Sequence, residues 1–287
     1  MVNGLSTTLM IVALQTAHPM AARDTQPLWL TDYAHASEMA RAEERMLLVY
    51  FHQDDTAIGK DTFSLQINSS PQLRQLTRRF VTVHLPVSYI ASKGNEQFQL
   101  ISHGAFAELG GRPGLAIVDY ANRDSEYYGY TVSVYPFYLP NALAKDRLQS
   151  LLTLPPGSLT QRTLMLAVRI HPDRPQSTTG NWSPALTQAS HRHSLHMASI
   201  HRGGHHNWES RFHRINAQLP SGHMSQEVCA ESWPGQGLIE AAVDCVHCWR
   251  QSSGHWRAVS RWHSYFGYDM KLGSNGVWYA TGIFSVN

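Results

Sequence analysis

The sequence predicts an α/β unit followed by an α+β unit, and three observations carry that expectation. The chain has 287 residues, enough for two domains at roughly 100–200 residues each. Over about the first half, short apolar runs alternate with helical segments, the pattern of an α/β layer structure. A Pro/Gly/Ser cluster, Leu154-Pro155-Pro156-Gly157-Ser158, then breaks the pattern, and long helices and a terminal strand follow. Apolar residues at 43% exclude wholesale disorder, and 23 basic against 21 acidic side chains give no electrostatic case for nucleic acid.

Taken in order, Leu9–Leu14 is an apolar run too short to span a bilayer. Within a leader over 1–22 it reads as the apolar part of an export signal with Ala21-Ala22 at the cut, or else as a disordered tail. Residues 31–45, rich in Ala, Glu and Arg, suit a helix. Leu47–Phe51 is a buried central strand, Pro71–Phe80 a helix, and Val81–Leu85 a strand of period two. A helix carrying Phe98, Ile101 and Leu109 leads to Gly110-Gly111-Arg112-Pro113. Another strand covers Leu115–Asp119, and a helix over Ala142–Leu152 closes the unit.

This order, with Leu47-Leu48-Val49-Tyr50-Phe51 as the first long strand, resembles the thioredoxin-like superfamily. The resemblance covers 23–153 and places Thr56 and Gly59 where that family carries its two cysteines. No cysteine precedes Cys229, so thiol–disulfide exchange, which needs an attacking thiolate, is not available to this half. Pro113 stands where the family has a cis-proline. The acidic pair Asp54-Asp55 reads as a cap for the next helix. Tyr127, Tyr128, Tyr130, Tyr135, Phe137 and Tyr138 read as strand packing.

The second unit opens with a polar stretch up to Ser183-Pro184, an N-cap followed by Pro at the first helical position. Leu186, Ala189, His193 and Met197 then recur at helical spacing. Leu238–Arg250 forms a broad apolar helical stripe, and Gly276–Val286 reads as a strand. Twelve of the seventeen histidines lie between His171 and His263, which raises metal handling as a possibility.

Five segments appear in order: His193-Ser194 with Met197-Ala198; Gly204-His205-His206-Asn207-Trp208 with Arg211; Glu227-Val228; Trp249 to His255; and Gly267. Together they resemble the CAP superfamily of cysteine-rich secretory and pathogenesis-related proteins, in its bacterial SCP-like form, over 154–287. The resemblance implies an α-β-α sandwich with a cleft where two histidines and two acids meet. His205 and His255 match the histidines and Glu227 the first acid; Ser252 stands where the second acid would be, and His206 is the neighbouring candidate for the cleft. Two neutral imidazoles could hold zinc weakly, one short of the three protein ligands usual at catalytic zinc.

Cys245-x-x-Cys248 lies within a helix and is read as buried free thiols. His193 and His196, three residues apart, could share a metal but are read as an ordinary helix face. The leading expectation is an exported binding or scaffold protein of the cell envelope, secreted or periplasmic, without a transmembrane segment, that takes a peptide, glycan or lipid. A zinc-dependent hydrolase with Glu227 as base is the alternative, and a thiol redox protein built on Cys245 and Cys248 comes third.

Overall fold

A computed structural model describes residues 29–286; the expected leader over 1–22 lies outside them. Strand β1 (Trp29–Leu30) and helix α1 (Tyr33–Ala42) come first, with the Asp32 carboxylate accepting from His35 N at 2.7 Å as the helix cap. The apolar run becomes β2 (Leu47–His52), buried throughout. A loop leads to α2 (Thr62–Ser69), then α3 (Pro71–Thr77) and β3 (Val81–Pro86) follow.

The helix expected through Phe98, Ile101 and Leu109 is replaced by a hairpin, β4 (Ile90–Lys93) with β5 (Glu96–Gln99), and two short 3-10 helices over Leu100–Ser102 and Gly104–Leu109. Gly94-Asn95 is a hairpin turn signal, and Gly94 takes a φ of 61° there. Gly104 then interrupts any longer helix.

Strands β6 (Gly114–Val118) and β7 (Thr131–Pro136) complete a five-stranded sheet of order β1-β3-β2-β6-β7. β1, β3 and β2 run parallel, while β6 and β7 are antiparallel to their neighbours. The Arg112–Pro113 bond is trans, a correction to the cis bond that the resemblance implied. Gly110 and Gly111, at φ of 60° and 70°, already turn the chain into β6.

Helix α4 (Lys145–Leu152) is followed by α5 (Leu159–Arg169), whose start at Ser158 is a full capping box with Gln161. Then come β8 (Asn181–Trp182), α6 (Pro184–Ile200), α7 (Trp208–Asn216), β9 (Met224–Glu231), α8 (Leu238–Gln251), α9 (Ser253–Ser260), β10 (Tyr265–Leu272) and β11 (Trp278–Val286). Ser183 caps α6 as its sequence predicts, accepting from Leu186 N at 3.3 Å.

The second sheet has the order β8-β10-β11-β9, antiparallel except for β8 beside β10. Period two assigns its faces. Phe266, Tyr268 and Met270 pack with α5 and α8, whereas Gly267 lies against α6 so closely that a Cβ would stand 2.2 Å from Thr187 N. Helices therefore cover both faces, making three layers. No helix among the described residues is long and apolar enough to cross a membrane.

The two sheets share one core. A single apolar cluster joins Leu48 and Ile117 of the first sheet, Leu164 and Val168 of α5, and Trp249 and Tyr268 beyond it. Arg162 of α5 is buried in that junction, its Nε donating to Ser133 Oγ at 2.7 Å and its Nη1 to Leu154 O and Pro155 O at 3.1 and 2.7 Å. Burial lowers its pKa to about 10, which keeps it charged at neutral pH. The break near Leu154 thus separates two sheets, with α5 packed against both.

Candidate metal centre

The site grows from one face of β9. Alternation sends Val228 into the core shared with α8, and turns Glu227, Cys229 and Glu231 toward α6 and the loop that follows it. That loop is pinned at three points. Gly203 N donates to Glu231 Oε2 at 3.0 Å, Gly204 O accepts from His193 Nε2 at 2.8 Å, and His205 Nδ1 meets Glu227 Oε1 at 3.0 Å.

Glu227 is almost wholly buried, its side chain 1% exposed. Arg211 from α7 grips both carboxylate oxygens, with the Nη2–Oε1 contact at 2.8 Å and Nη1 on Oε2. Burial alone would raise the pKa of this carboxyl. Hydrogen bonds from Arg211 and His205, with the charge of Arg211, outweigh that and hold it below the ordinary carboxylate range. An ionised carboxylate only accepts, so His205 Nδ1 carries a proton, and in the neutral imidazole Nε2 is then the nitrogen with the lone pair.

That lone pair points at His255. The two Nε2 atoms stand 3.3 Å apart, with the rings 5.5 Å between centroids. Two ligands of a tetrahedral ion with bonds of about 2.0–2.1 Å stand roughly 3.3–3.4 Å apart, so this pair has the spacing of two zinc ligands. Burial, then the neighbouring His205, lowers the His255 pKa and favours its neutral imidazole, the form that can ligate a metal. Both rings line a cavity of about 350 Å³ together with Cys229 and Glu231. A zinc ion held there would act as a Lewis acid on a bound oxygen ligand, with open positions for water.

A second ligand set lies just beneath. His193, Glu227 and Cys229 offer ligand atoms all within 4.8 Å of one another, all three residues buried, and could hold a metal ion. Arg211 competes for that place, since its guanidinium already neutralises Glu227 and comes within 3.3 Å of His193 Nε2. The Cys229 thiol is pushed far up, first by burial and then by the Glu227 charge, so it stays protonated. His193 is lowered to about 4 by burial, against the pull of Glu227.

The structure places His205, Glu227 and His255 beside one another; it adds Arg211 and His193, which the sequence named only as motif or helix-face residues, and Glu231, which it did not name. Glu231 was legible, being two residues on from Cys229 and four from Glu227 on one strand face. Ser252 and His206, both expected in the cleft, do not line it. Ser252 caps α9, accepting from His255 N at 3.5 Å, and so holds the turn that carries His255. His206 bonds Arg202 O through Nε2 at 3.1 Å and turns its ring toward His193 and His196.

In the first half, Thr56 and Gly59 occupy the loop ahead of α2, which begins only at Thr62. Asp61, not the Asp54-Asp55 pair, caps that helix, accepting from Ser64 N at 2.9 Å; Asp54 instead accepts from Ser88 N at 3.1 Å. Among the aromatic residues Tyr135 is buried as expected, while Tyr130 and Tyr138 are exposed. Cys245 is buried, Cys248 is exposed, and neither forms a disulfide. Burial pushes both thiols up, which leaves no activated thiolate on α8.

Comparison with family models, with curated proteins and with solved structures returns no match for this chain.

Proposed function

We propose that this is an exported binding protein of the cell envelope. In this reading a thioredoxin-like half without its dithiol is joined to a CAP-like half that holds zinc between His205 and His255. The observation that carries the proposal is the 3.3 Å separation of the two Nε2 atoms, with His205 oriented from behind by Glu227. The order and directions of the first sheet, and the three layers of the second half, agree with the two resemblances.

Capture rather than turnover follows from the state of Glu227. A general base needs a free lone pair and a pKa near the working pH. Here both carboxylate oxygens already accept from Arg211, one accepts from His205 as well, and the pKa is lowered. The zinc-dependent hydrolase is accordingly the weaker reading. A cavity of about 440 Å³ between α4, α5 and α8, walled by Leu139, Ile170, Ile239 and Val243, offers room for the apolar part of a peptide or lipid.

Cobalt substitution tests the ligand set. Co²⁺ bound between His205 and His255 shows no thiolate charge-transfer band. A strong band that both Cys229→Ser and His193→Ala remove, and that His255→Ala leaves, would move the metal to the buried cluster beneath. Cleavage of a peptide library that disappears in Glu227→Gln and survives in Cys245→Ser would replace capture with hydrolysis.

A further inference from the structure

Helices α6 and α7 face each other across a second pocket, of about 230 Å³, which shares no lining residue with the cleft of His205 and His255. The two facing stripes are basic. From α6 come Arg192, His193 and His196; from α7 and its cap come Asn207, Arg211 and Arg214. Helical spacing makes this a property of the sequence, because 207, 211, 214 and 218 share one face while Glu209 points away from it. No Asp or Glu lines the pocket among the described residues.

The three guanidinium groups are not equivalent. Arg211 is spent on Glu227 and on His206 O. The guanidinium groups of Arg192 and Arg214 make no hydrogen bond or ion pair among the described residues, and both side chains are exposed. Two unpaired cations beside one cavity repel each other, and an anion between them removes that repulsion. A further donor set adjoins them. Asn207, at φ 53°, begins α7 without capping it through its side chain; Trp208 N already donates to His205 O at 3.2 Å, which leaves the Glu209 and Ser210 N–H groups without a side-chain cap at the positive end of the helix dipole.

We propose that this pocket binds a phosphate group, held by Arg192 of α6 and Arg214 of α7, with Asn207 and the first turn of α7 supplying further donors. Tetrahedral shape decides the class. Donors converge from two helices, and a phosphate presents oxygens toward both at once, each guanidinium taking two in its planar fork. A planar carboxylate satisfies one fork and leaves the other unpaired. The same chemistry occurs in free phosphate and in a phosphomonoester headgroup.

The test uses the full chain, stripped of metal on a chelating resin, in four titrations: inorganic phosphate, glycerol 3-phosphate, acetate, and phosphatidylcholine vesicles with or without phosphatidic acid. Saturable phosphate binding near one equivalent is expected, without saturation by acetate. R192Q/R214Q is expected to weaken it about a hundredfold, at roughly tenfold for each lost charged hydrogen-bonding group. K93Q/K145Q, which makes the same change in net charge elsewhere, is expected to leave it within about twofold. Co-sedimentation that depends on phosphatidic acid and on both arginines assigns the source to a headgroup; binding of the soluble ligands alone assigns it to free phosphate or a small monoester. Absence of saturable binding in every phosphate arm, equal binding of acetate, or equal loss in the two double variants overturns the proposal.

Discussion

Glu227 orients His205 because Arg211 holds it still, so the two residues have separable roles. Glu227→Gln keeps an acceptor for His205 but loses the charge behind the ring, and zinc affinity is predicted to fall about 10–100-fold by calorimetry. Arg211→Met leaves the Glu227 carboxylate buried and uncompensated. It is predicted to cost about 3–5 kcal/mol in urea unfolding; a loss under about 1 kcal/mol would show that the pair is not the structural tie described here. His205, Glu227 and His255 were legible because the order of motifs along the chain carries them. His193 was not, since a histidine on the buried stripe of a helix looks the same in sequence whether it packs or ligates; only its 3.7 Å approach to Glu227 gives it a place in the site.

At the scale of elements, the position of each histidine is set by a local device. The Ser252 cap starts α9 and thereby presents His255, so Ser252→Ala is predicted to cost about 1 kcal/mol and to weaken zinc binding as well. An unchanged zinc isotherm in that variant would mean that His255 is placed by α9 packing alone. Gly267 lets α6 lie directly on β10, and Gly267→Ala is predicted to unfold at clearly lower urea, because the new Cβ meets α6 backbone and not a movable side chain. Strands and capped helices were readable from period and cap residues. The hairpin of β4 and β5 was not, because Phe98, Ile101 and Leu109 fit a helical spacing equally well and only the Gly94-Asn95 turn distinguishes the two.

For the whole molecule, the shared core predicts one unfolding transition in scanning calorimetry, with calorimetric and van't Hoff enthalpies equal. Two resolved transitions would contradict a core continuous through α5. The sequence concealed this continuity, since a Pro/Gly/Ser break marks where a pattern changes and not what packs across it. Stability should also fall with acid in two stages. His193 and His263 are held neutral by burial, so below the ordinary histidine pKa of 6.5 the unfolded chain takes protons that the folded one refuses; melting temperature drops as pH falls through that window. The second stage belongs to Asp269 and Glu227. Burial raises both carboxyls, but their hydrogen bonds and nearby charges hold them lower than their ordinary values of 3.8 and 4.5, so their contribution is complete above those values and is lost as pH falls below them. A melting temperature flat from pH 7 to pH 4 would contradict the first stage.

The central claim is that two imidazoles on different elements converge on one zinc ion. Its most direct measurement is a calorimetric zinc titration of the full chain beside His205→Ala and His255→Ala. The account predicts binding near one equivalent that each substitution abolishes with the fold intact. Binding that survives both substitutions, or none in the parent protein, would contradict it.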